Sequence, residues 1–159
     1  MRNRFSILIL LALTTALPVA AQDFGRPLAQ VALQPLPETE TPDIEALLRA
    51  NWRAYYNGSG DFAFFRDQVR AGRIDLNEDG QAELMILIDS PAWISDKGQP
   101  LLVARWTNHG WAVIGWSFGD SDGVFVTSQR SDGWASIETP SQWLRWNGSG
   151  YRPTDRPKR

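Results

Sequence analysis

One stretch of the sequence reads Arg73-Ile-Asp-Leu-Asn-Glu-Asp-Gly-Gln-Ala-Glu-Leu-Met-Ile-Leu-Ile88. Its middle, Asn77–Gly80, consists of residues that are favoured in tight turns, and its last part, Leu84–Ile88, is an apolar run typical of a buried strand. Two strands that are joined by so short a turn pair antiparallel. The stretch therefore predicts an antiparallel hairpin, with strands near Arg73–Leu76 and Leu84–Ile88.

Short β-type runs separated by turn residues continue through the rest of the chain. Further strands are predicted near Leu101–Thr107, Trp111–Ser117, Val124–Thr127, Trp134–Thr139, Trp143–Trp146 and Tyr151-Arg152. The intervening turns are rich in Gly, Asn, Ser and Asp, and connections this short join neighbouring antiparallel strands. The pattern predicts a meandering antiparallel β-sheet, which becomes barrel-like if its edges curl toward each other.

Upstream of the hairpin, apolar residues recur at helical spacing. The apolar stripe consists of Ile44, Leu47, Leu48, Trp52 and Tyr55. Thr41 is placed to cap this helix, Pro42 suits its first turn, and the turn residues 57–60 end it. A second, shorter helix is predicted from Asp61 to Ala71, with a strand as the alternative. The predicted fold class is α+β, with one or two N-terminal helices packed on the sheet.

The first 21 residues have the order of a secretory signal peptide. Two arginines precede the apolar run Phe5–Leu13, and small residues lead to a cleavage site after Ala21. A membrane anchor is the weaker alternative, because the run is shorter than the ~20 residues that span a bilayer and Pro18 interrupts it. We therefore expect a periplasmic or secreted protein, without stable membrane insertion after signal cleavage.

The mature chain divides into three parts by composition. Cleavage of 21 residues from 159 leaves 138, which is enough for one domain with its own core. Residues 22–42 contain four prolines and predict a linker or arm with little regular structure. Residues 43–152 form the predicted single globular domain, and residues 153–159 form a flexible tail.

The composition limits both partners and chemistry. Two of the 16 basic residues and none of the 18 acidic residues leave with the signal peptide, so 14 basic and 18 acidic residues remain, a formal charge of −4. This acidic balance argues against nucleic acid as a partner, because nucleic-acid binding requires a basic surface. The sequence has no cysteine, which excludes thiol redox chemistry and thiolate metal sites.

The turn of the hairpin carries the one constellation that suits a metal ion. The candidate ligands are the side-chain oxygens at loop positions one, three, five and nine and the backbone carbonyl at position seven, namely Asp75, Asn77, Asp79, Glu83 and Gln81. Ca²⁺ takes six to eight oxygen ligands, and alternate positions of a tight loop can face a common centre. Gly80 permits the sharp bend that this requires. The loop predicts a calcium site, and the alternative is an ordinary hairpin turn.

This loop resembles the calcium loop of FG-GAP-like repeats, whose pattern is Asp-x-Asp-x-Asp-Gly-x-x-Asp followed by an apolar strand. Asn77 and Glu83 stand where that pattern has aspartate, and both retain an oxygen ligand. The resemblance implies the calcium loop alone, because such repeats occur in arrays that build a propeller and this chain has one loop. The loop is also similar to the first half of an EF-hand, but Ile86 stands at the twelfth position, where an EF-hand has an acidic ligand.

The eight tryptophans have two possible roles, as core residues or as an exposed aromatic surface for a sugar or a protein. Strand alternation predicts that Trp143 and Trp146 lie on opposite faces, and the same holds for Trp111 and Trp116. The only histidine, His109, lies among turn residues, without an identifiable partner for general-base catalysis.

Together these features favour an exported, non-enzymatic calcium-binding domain that binds another extracytoplasmic macromolecule, as an inhibitor or accessory protein. The partner is expected to be an extracytoplasmic protein or glycan. One alternative is a carbohydrate-binding module that uses exposed tryptophans. The other is a hydrolase that uses Asp120, Asp122 or Glu138 as acid and base.

Overall fold

The computed structural model describes residues 26–52, 63–93 and 95–155. Within these residues the chain forms ten strands and one α-helix. In chain order the elements are β1 (Pro27–Gln30), β2 (Gln34–Pro35), α1 (Thr41–Asn51), β3 (Val69–Ile74), β4 (Glu83–Ile88), β5 (Gln99–Thr107), β6 (Gly110–Gly119), β7 (Phe125–Ser131), β8 (Trp134–Glu138), β9 (Gln142–Trp146) and β10 (Tyr151–Asp155). Short 3-10 turns occur at Glu38–Glu40 and Arg66–Gln68.

The strands form two five-stranded antiparallel sheets. We call the sheet with the order β2-β3-β4-β5-β6 the central sheet, and the sheet with the order β1-β7-β8-β9-β10 the outer sheet. Both sheets contribute to one buried apolar cluster, whereas α1 and the other face of the central sheet form a second cluster. The domain therefore has three layers, with the central sheet between the helix and the outer sheet.

The central position of β4 follows from its sequence. All six of its residues are buried, so the strand is a continuous apolar run after Glu83 instead of an alternating one. Met85 and Leu87 face the core between the sheets, and Leu84 and Ile86 face the helix. The two faces of β4 thus contribute to different cores.

The fold is mainly antiparallel β with one short helix, and the α+β expectation holds only loosely. The two sheets of the described chain do not close into a barrel. The second predicted helix is wrong where it is described, because its last residues, from Val69, belong to β3. Val69 is buried in the cluster between α1 and the central sheet, which we call the helix-side core, and the partly buried Ala71 packs against the same core. Residues two apart thus face the same side, as they do in a strand.

The Pro-rich segment is more ordered than its composition predicts. Residues 27–30 form β1 at an edge of the outer sheet, and residues 34–35 form β2 at an edge of the central sheet. Proline lacks the N–H that an inner strand must donate, and an edge strand tolerates this loss. Val31 and Leu36 follow the two strands and are buried. The regular structure therefore includes residues before the predicted domain boundary.

The predicted amphipathic helix is confirmed over α1. Ile44, Leu47 and Leu48 of the predicted stripe are buried against the central sheet, whereas Tyr55 lies outside the described residues. Thr41 is not the cap, because the helix begins with it and its hydroxyl donates to the carbonyl of Pro37 at 3.0 Å. This helix is not long and apolar enough to cross a membrane, and the same is true of every helix among the described residues.

A β-bulge in β6 changes the expected faces of two tryptophans. Val103 pairs with Gly115 while its neighbour Ala104 pairs with Val113, so Ile114 is an extra residue on β6. Trp111 and Trp116 consequently pack against the same helix-side core, and the prediction that they face opposite ways is wrong. Trp143 and Trp146, in the regular strand β9, do lie on opposite faces.

Asp89 joins three strands just after the end of β4. Arg70 of β3 donates to its carboxylate at 2.7 Å, and the side chain of Gln99 of β5 donates at 2.7 Å. The backbone N–H of Asp89 donates to the carbonyl of Gln68 at 2.7 Å. The hydrogen bond from Arg70, followed by that from Gln99, holds the pKa of Asp89 below its ordinary value.

Asp89→Asn is expected to lower the free energy of unfolding by about 1 kcal/mol at neutral pH, since the ion pair is partly exposed. Because the pKa is lowered in the folded state, the carboxylate stabilises the fold above its ordinary pKa of 3.8. This stabilisation is lost as the pH falls below 3.8 through the folded-state pKa. Urea unfolding as a function of pH checks this, with Asp96→Asn as the control for charge alone. A difference that is independent of pH would contradict the role of the carboxylate.

Candidate functional site

Two turns of the central sheet project from one end of the domain. The β3–β4 loop spans residues 75–82, and the β5–β6 turn spans residues 108–109. They are neighbours because β4 and β5 pair antiparallel, with Leu84 opposite Ala104. This pairing brings the start of β4, at Glu83, to the end of β5.

Two turns of the outer sheet reach the same end. The β7–β8 turn spans residues 132–133, and the β9–β10 turn spans residues 147–150. The backbone N–H of Ala135 donates to the carbonyl of Leu76 at 2.8 Å, which ties the first of these turns to the β3–β4 loop. The second turn lies beside the first because β8 and β9 pair antiparallel. We call the end that carries these four turns the loop end.

Leu76 anchors the β3–β4 loop. β3 ends at Ile74, so Leu76 lies in the loop and not in the predicted strand Arg73–Leu76. Its side chain is fully buried in the core between the sheets. Its N–H donates to Glu83 Oε2 at 2.9 Å, and its carbonyl accepts from Arg130 at 3.3 Å. Arg130 also forms an ion pair with Glu78 of the loop. Burial of its side chain and hydrogen bonds to both sheets thus fix Leu76 in place.

Asp75 binds the backbone of its own loop. Its carboxylate accepts the N–H groups of Glu78 at 2.7 Å, Gly80 at 2.9 Å and Asn77 at 3.3 Å. Desolvation raises the pKa of Asp75, but these backbone bonds outweigh it and hold the pKa below its ordinary value. The carboxylate of Asp75 therefore holds the loop in a tight turn through three backbone N–H groups.

Asn77 and Asp79 contact each other. The amide of Asn77 donates to Asp79 Oδ2 at 2.8 Å, and its carbonyl accepts the backbone N–H of Asp79 at 3.1 Å. Asp79 Oδ1 accepts the backbone N–H of Gln81 at 2.7 Å. Gly80 has a φ of +85°, which is the left-handed conformation that the predicted bend requires. The described side chains therefore close the loop through hydrogen bonds.

Glu83 is a buried carboxylate at the start of β4. It is 3% exposed and lies on the face of β4 that Met85 and Leu87 present to the core between the sheets. Burial raises its pKa, the N–H bond from Leu76 opposes this, and the negative charges of Asp79 and Asp75 raise the pKa further. Its negative charge is therefore unfavourable in this loop unless a cation lies nearby.

Four of the five predicted ligands lie in the β3–β4 loop and the fifth, Glu83, begins β4. Their donor atoms are of the kind that calcium prefers. In the chain as described, no three His, Cys, Asp or Glu side chains converge closely enough to hold a metal ion. All candidate donors are oxygens, and an ionised carboxylate has about four lone-pair sites, more than the hydrogen bonds here use. The donor set fits calcium chemically, although the loop is also self-consistent without an ion.

A cleft of about 290 Å³ opens beside the loop, and we call it the loop-end cleft. Its residues are Asn77, Asp79, Gln81, Ala82 and Glu83 from the loop side, Arg105, Trp106, Thr107 and Asn108 from the β5–β6 hairpin, and Trp134. Four of the five predicted ligands thus line one wall, and Asp75 does not. The hairpin forms the opposite wall.

Trp106 is the most accessible aromatic residue of this cleft. Its side chain is 53% exposed, although its edge contacts Trp111 at a centroid distance of 5.3 Å. Trp111 in turn lies under the guanidinium of Arg73, 4.9 Å from the ring centroid. The neighbouring residues therefore hold the indole of Trp106 in place while about half of it faces solvent.

Trp106 also lines a second cleft, of about 300 Å³, between α1 and the β5–β6 hairpin. We call it the helix-side cleft. Asp43, Leu47 and Ala50 are among its helix residues, and His109 lines it from the hairpin. His109 is exposed at the tip of the turn. The exposed indole therefore separates two clefts of similar size.

A buried aromatic cluster lies beneath the loop end. Trp134 and Trp146 stack at 4.2 Å with an interplanar angle of 12°, and Tyr151 meets both rings edge-on. The hydroxyl of Tyr151 donates to the carbonyl of Ala135 at 2.7 Å. Burial, and then the charge of Glu83, raises the pKa of Tyr151, so the hydroxyl remains a donor. These two nearly parallel, stacked indoles are core residues and do not form an exposed platform.

The acidic residues considered for a hydrolase lie outside both clefts. Asp120 and Asp122 belong to the turn between β6 and β7, where the N–H of Asp122 donates to Asp120 Oδ1 at 3.1 Å. Glu138 ends β8. The loop-end cleft and the helix-side cleft contain none of the three.

Sequence reasoning missed the hairpin wall of the loop-end cleft. Arg105, Thr107 and Asn108 stand in an ordinary strand and turn, and their types alone signal no site. The strand pairing that places Arg105 beside Glu83 is the signal that identifies them.

Comparison with models of protein families, with curated proteins and with solved structures gives no match for this chain.

Proposed function

We propose that the protein is an exported, non-enzymatic binding domain, in which calcium held by the β3–β4 loop fixes one wall of a site for another extracytoplasmic macromolecule. The observation that carries this proposal is the position of the predicted ligands. Asn77, Asp79, Gln81 and Glu83 line the loop-end cleft together with Trp106, which is 53% exposed. Export rests on the signal-like N-terminal sequence.

The charges of the loop favour a cation. Asp75, Asp79 and Glu83 place three carboxylates within nine residues, and burial, followed by the charges of Asp79 and Asp75, raises the pKa of Glu83. A divalent ion would offset this repulsion and would add rigidity to a loop whose ends enter β3 and β4. Asp75, Asn77, Asp79 and Glu83 would supply side-chain oxygens and Gln81 its carbonyl. The ion would contribute charge and order, while this chain's own side chains contact the partner.

The remaining residues of the cleft suit recognition. The hairpin wall offers a guanidinium at Arg105, an amide at Asn108 and the indole of Trp106. The histidine, which is the residue most often used for general acid–base catalysis, lines the helix-side cleft instead. A rigid indole beside groups that form hydrogen bonds is typical of a binding surface, because an aromatic side chain supplies contact area at low entropic cost.

Calcium is expected to raise the melting temperature of chelator-treated protein, and Asp79→Ala is expected to abolish this response. An ion that binds only the folded state stabilises it by about 2.7 kcal/mol at a hundredfold excess over its Kd. Magnesium should stabilise less, because it requires near-ideal octahedral geometry and holds its water tightly. Calorimetric titration and thermal unfolding, with and without calcium, provide the measurement.

The matched control is Asp122→Ala, which removes an exposed aspartate from a turn outside the loop-end cleft. This variant should keep the full calcium response. Asp79→Ala is compared with itself in calcium and in chelator, so a loss of intrinsic loop stability does not affect the readout. Absence of heat at millimolar calcium, or an unchanged response in Asp79→Ala, would show that the loop is only a turn.

A further inference from the structure

The loop-end cleft is lined by basic and acidic side chains and by both donors and acceptors of hydrogen bonds. Arg105 can only donate hydrogen bonds, whereas the side chains of Asp79 and Glu83 supply acceptor oxygens. The amides of Gln81 and Asn108 can do both. A ligand that fits this lining must offer donors and acceptors side by side, which is the property of a hydroxyl group.

The charge of the cleft disfavours a ligand with a single strong charge. On its loop side the cleft is lined by the carboxyl groups of Asp79 and Glu83, so this side is acidic. The opposite wall carries the guanidinium of Arg105. A cationic ligand would meet Arg105 and an anionic ligand would meet the loop, so the cleft is better suited to a neutral polar molecule.

The size of the cleft and the position of Trp106 further limit the class of ligand that the cleft can bind. At about 290 Å³ the cleft lies at the small end of ligand sites, and it accommodates one or two sugar rings rather than a protein surface. The exposed part of the Trp106 indole adds an apolar, electron-rich surface beside the polar groups. A sugar ring matches this combination, because one of its faces is made of C–H groups and its rim of hydroxyls.

We propose that the loop-end cleft binds a neutral carbohydrate, as one or two sugar units of a larger glycan. A sugar ring packs against Trp106. Its hydroxyls form hydrogen bonds with Arg105 and Asn108 of the hairpin wall and with oxygens of the loop side chains that line the cleft. This inference rests on the proposed function, since it names the partner class of the same site. It makes Trp106, at the rim of both clefts, the main determinant of affinity.

The test uses the mature protein in calcium and, in parallel, in chelator. The probes are immobilised oligosaccharides of a few residues each, in a neutral panel, an acidic panel that contains uronic acids and a panel with free amino groups. Neutral probes that bind are then titrated in solution by calorimetry. We expect a neutral oligosaccharide to bind, and Trp106→Ala to weaken its binding about tenfold or more, as truncation of a central indole does.

Two further variants locate the binding within the molecule. Phe65→Ala removes an aromatic side chain of similar exposure, 55% against 53%, that lines neither cleft, and it should bind as the parent does. Arg105→Ala alters the loop-end cleft without touching the helix-side cleft, so it should weaken binding, whereas Asp43→Ala, in the helix-side cleft, should not. The melting temperature of each variant shows whether it is folded.

The outcomes separate this inference from the proposed function. A folded protein that binds calcium but no neutral oligosaccharide at millimolar concentration would overturn the inference and leave the calcium loop intact. Preference for a charged panel, or undiminished binding by Trp106→Ala, would overturn it as well. Equal binding in calcium and in chelator would support the carbohydrate site and contradict the role of the ion in the cleft.

Discussion

Ile86→Ala is expected to lower the free energy of unfolding by about 2–5 kcal/mol, which is a large part of the stability of a domain of this size. Ile86 is fully buried at the middle of β4, opposite Ala71 of β3 and Leu102 of β5. Its side chain packs in the helix-side core. The strands on both sides are paired along their length, so the core cannot collapse easily around the missing atoms and a cavity remains.

Urea unfolding measures this loss as a lower midpoint at an unchanged slope. The control is Ile86→Val, which removes one methylene group at the same position and should cost about 0.5–1.5 kcal/mol. Equal costs for the two variants would mean that the site relaxes around the cavity, and that β4 is less rigid than its pairing implies.

Gly115→Ala is expected to cost about 2–3 kcal/mol, because the two sheets approach each other at this glycine. An added Cβ would lie 2.4 Å from the Cβ of Tyr151 and 3.2 Å from its Cα. Tyr151 cannot move away easily, since its hydroxyl is bonded to Ala135 and its ring contacts Trp134 and Trp146. The clash must therefore be relieved by a shift of the β10 backbone.

The same substitution at the end of the same strand provides the comparison. In Gly119→Ala the nearest atoms to the new Cβ are side-chain carbons of Leu101 and Val124, each at 3.4 Å, and this is an ordinary contact. Gly119→Ala should therefore unfold at a clearly higher urea concentration than Gly115→Ala. Near-ultraviolet circular dichroism should also change in Gly115→Ala alone, because the aromatic cluster around Tyr151 is displaced. Equal stability of the two variants would contradict the close approach at Gly115.

The sheet was predictable wherever strand and turn alternate over a short range. All six strands from Leu101 onward were predicted, because turn residues punctuate apolar runs there. The ends of two were wrong, since β7 continues to Ser131 and β10 to Asp155, four and three residues beyond the predicted ends. The prediction was weaker where local signals conflict with tertiary pairing. Pro27 and Pro35 suggest a linker, yet they occupy edge strands whose pairing partners lie far away in the sequence.

The candidate site was predictable on one side only. The calcium loop is a local pattern, because its five ligands fall within nine residues. The opposite wall depends on the pairing of β4 with β5, which brings together residues that are some twenty positions apart. A bulge also reversed the expected direction of Trp116, and one extra residue such as Ile114 leaves no clear mark in the sequence. The cleft itself therefore became visible only in three dimensions.

The four turns of the loop end give the fold a capacity for diversification. Each turn closes a hairpin of two paired antiparallel strands, and the turn residues Asn108, Asp132 and Asn147 are exposed. Exposed turn tips tolerate substitution and insertion better than the strands they connect. A library randomised at these tips would keep the two sheets and alter the surface around Trp106. The same framework could thus be re-targeted to different ligands, as antibody domains are through their hypervariable loops.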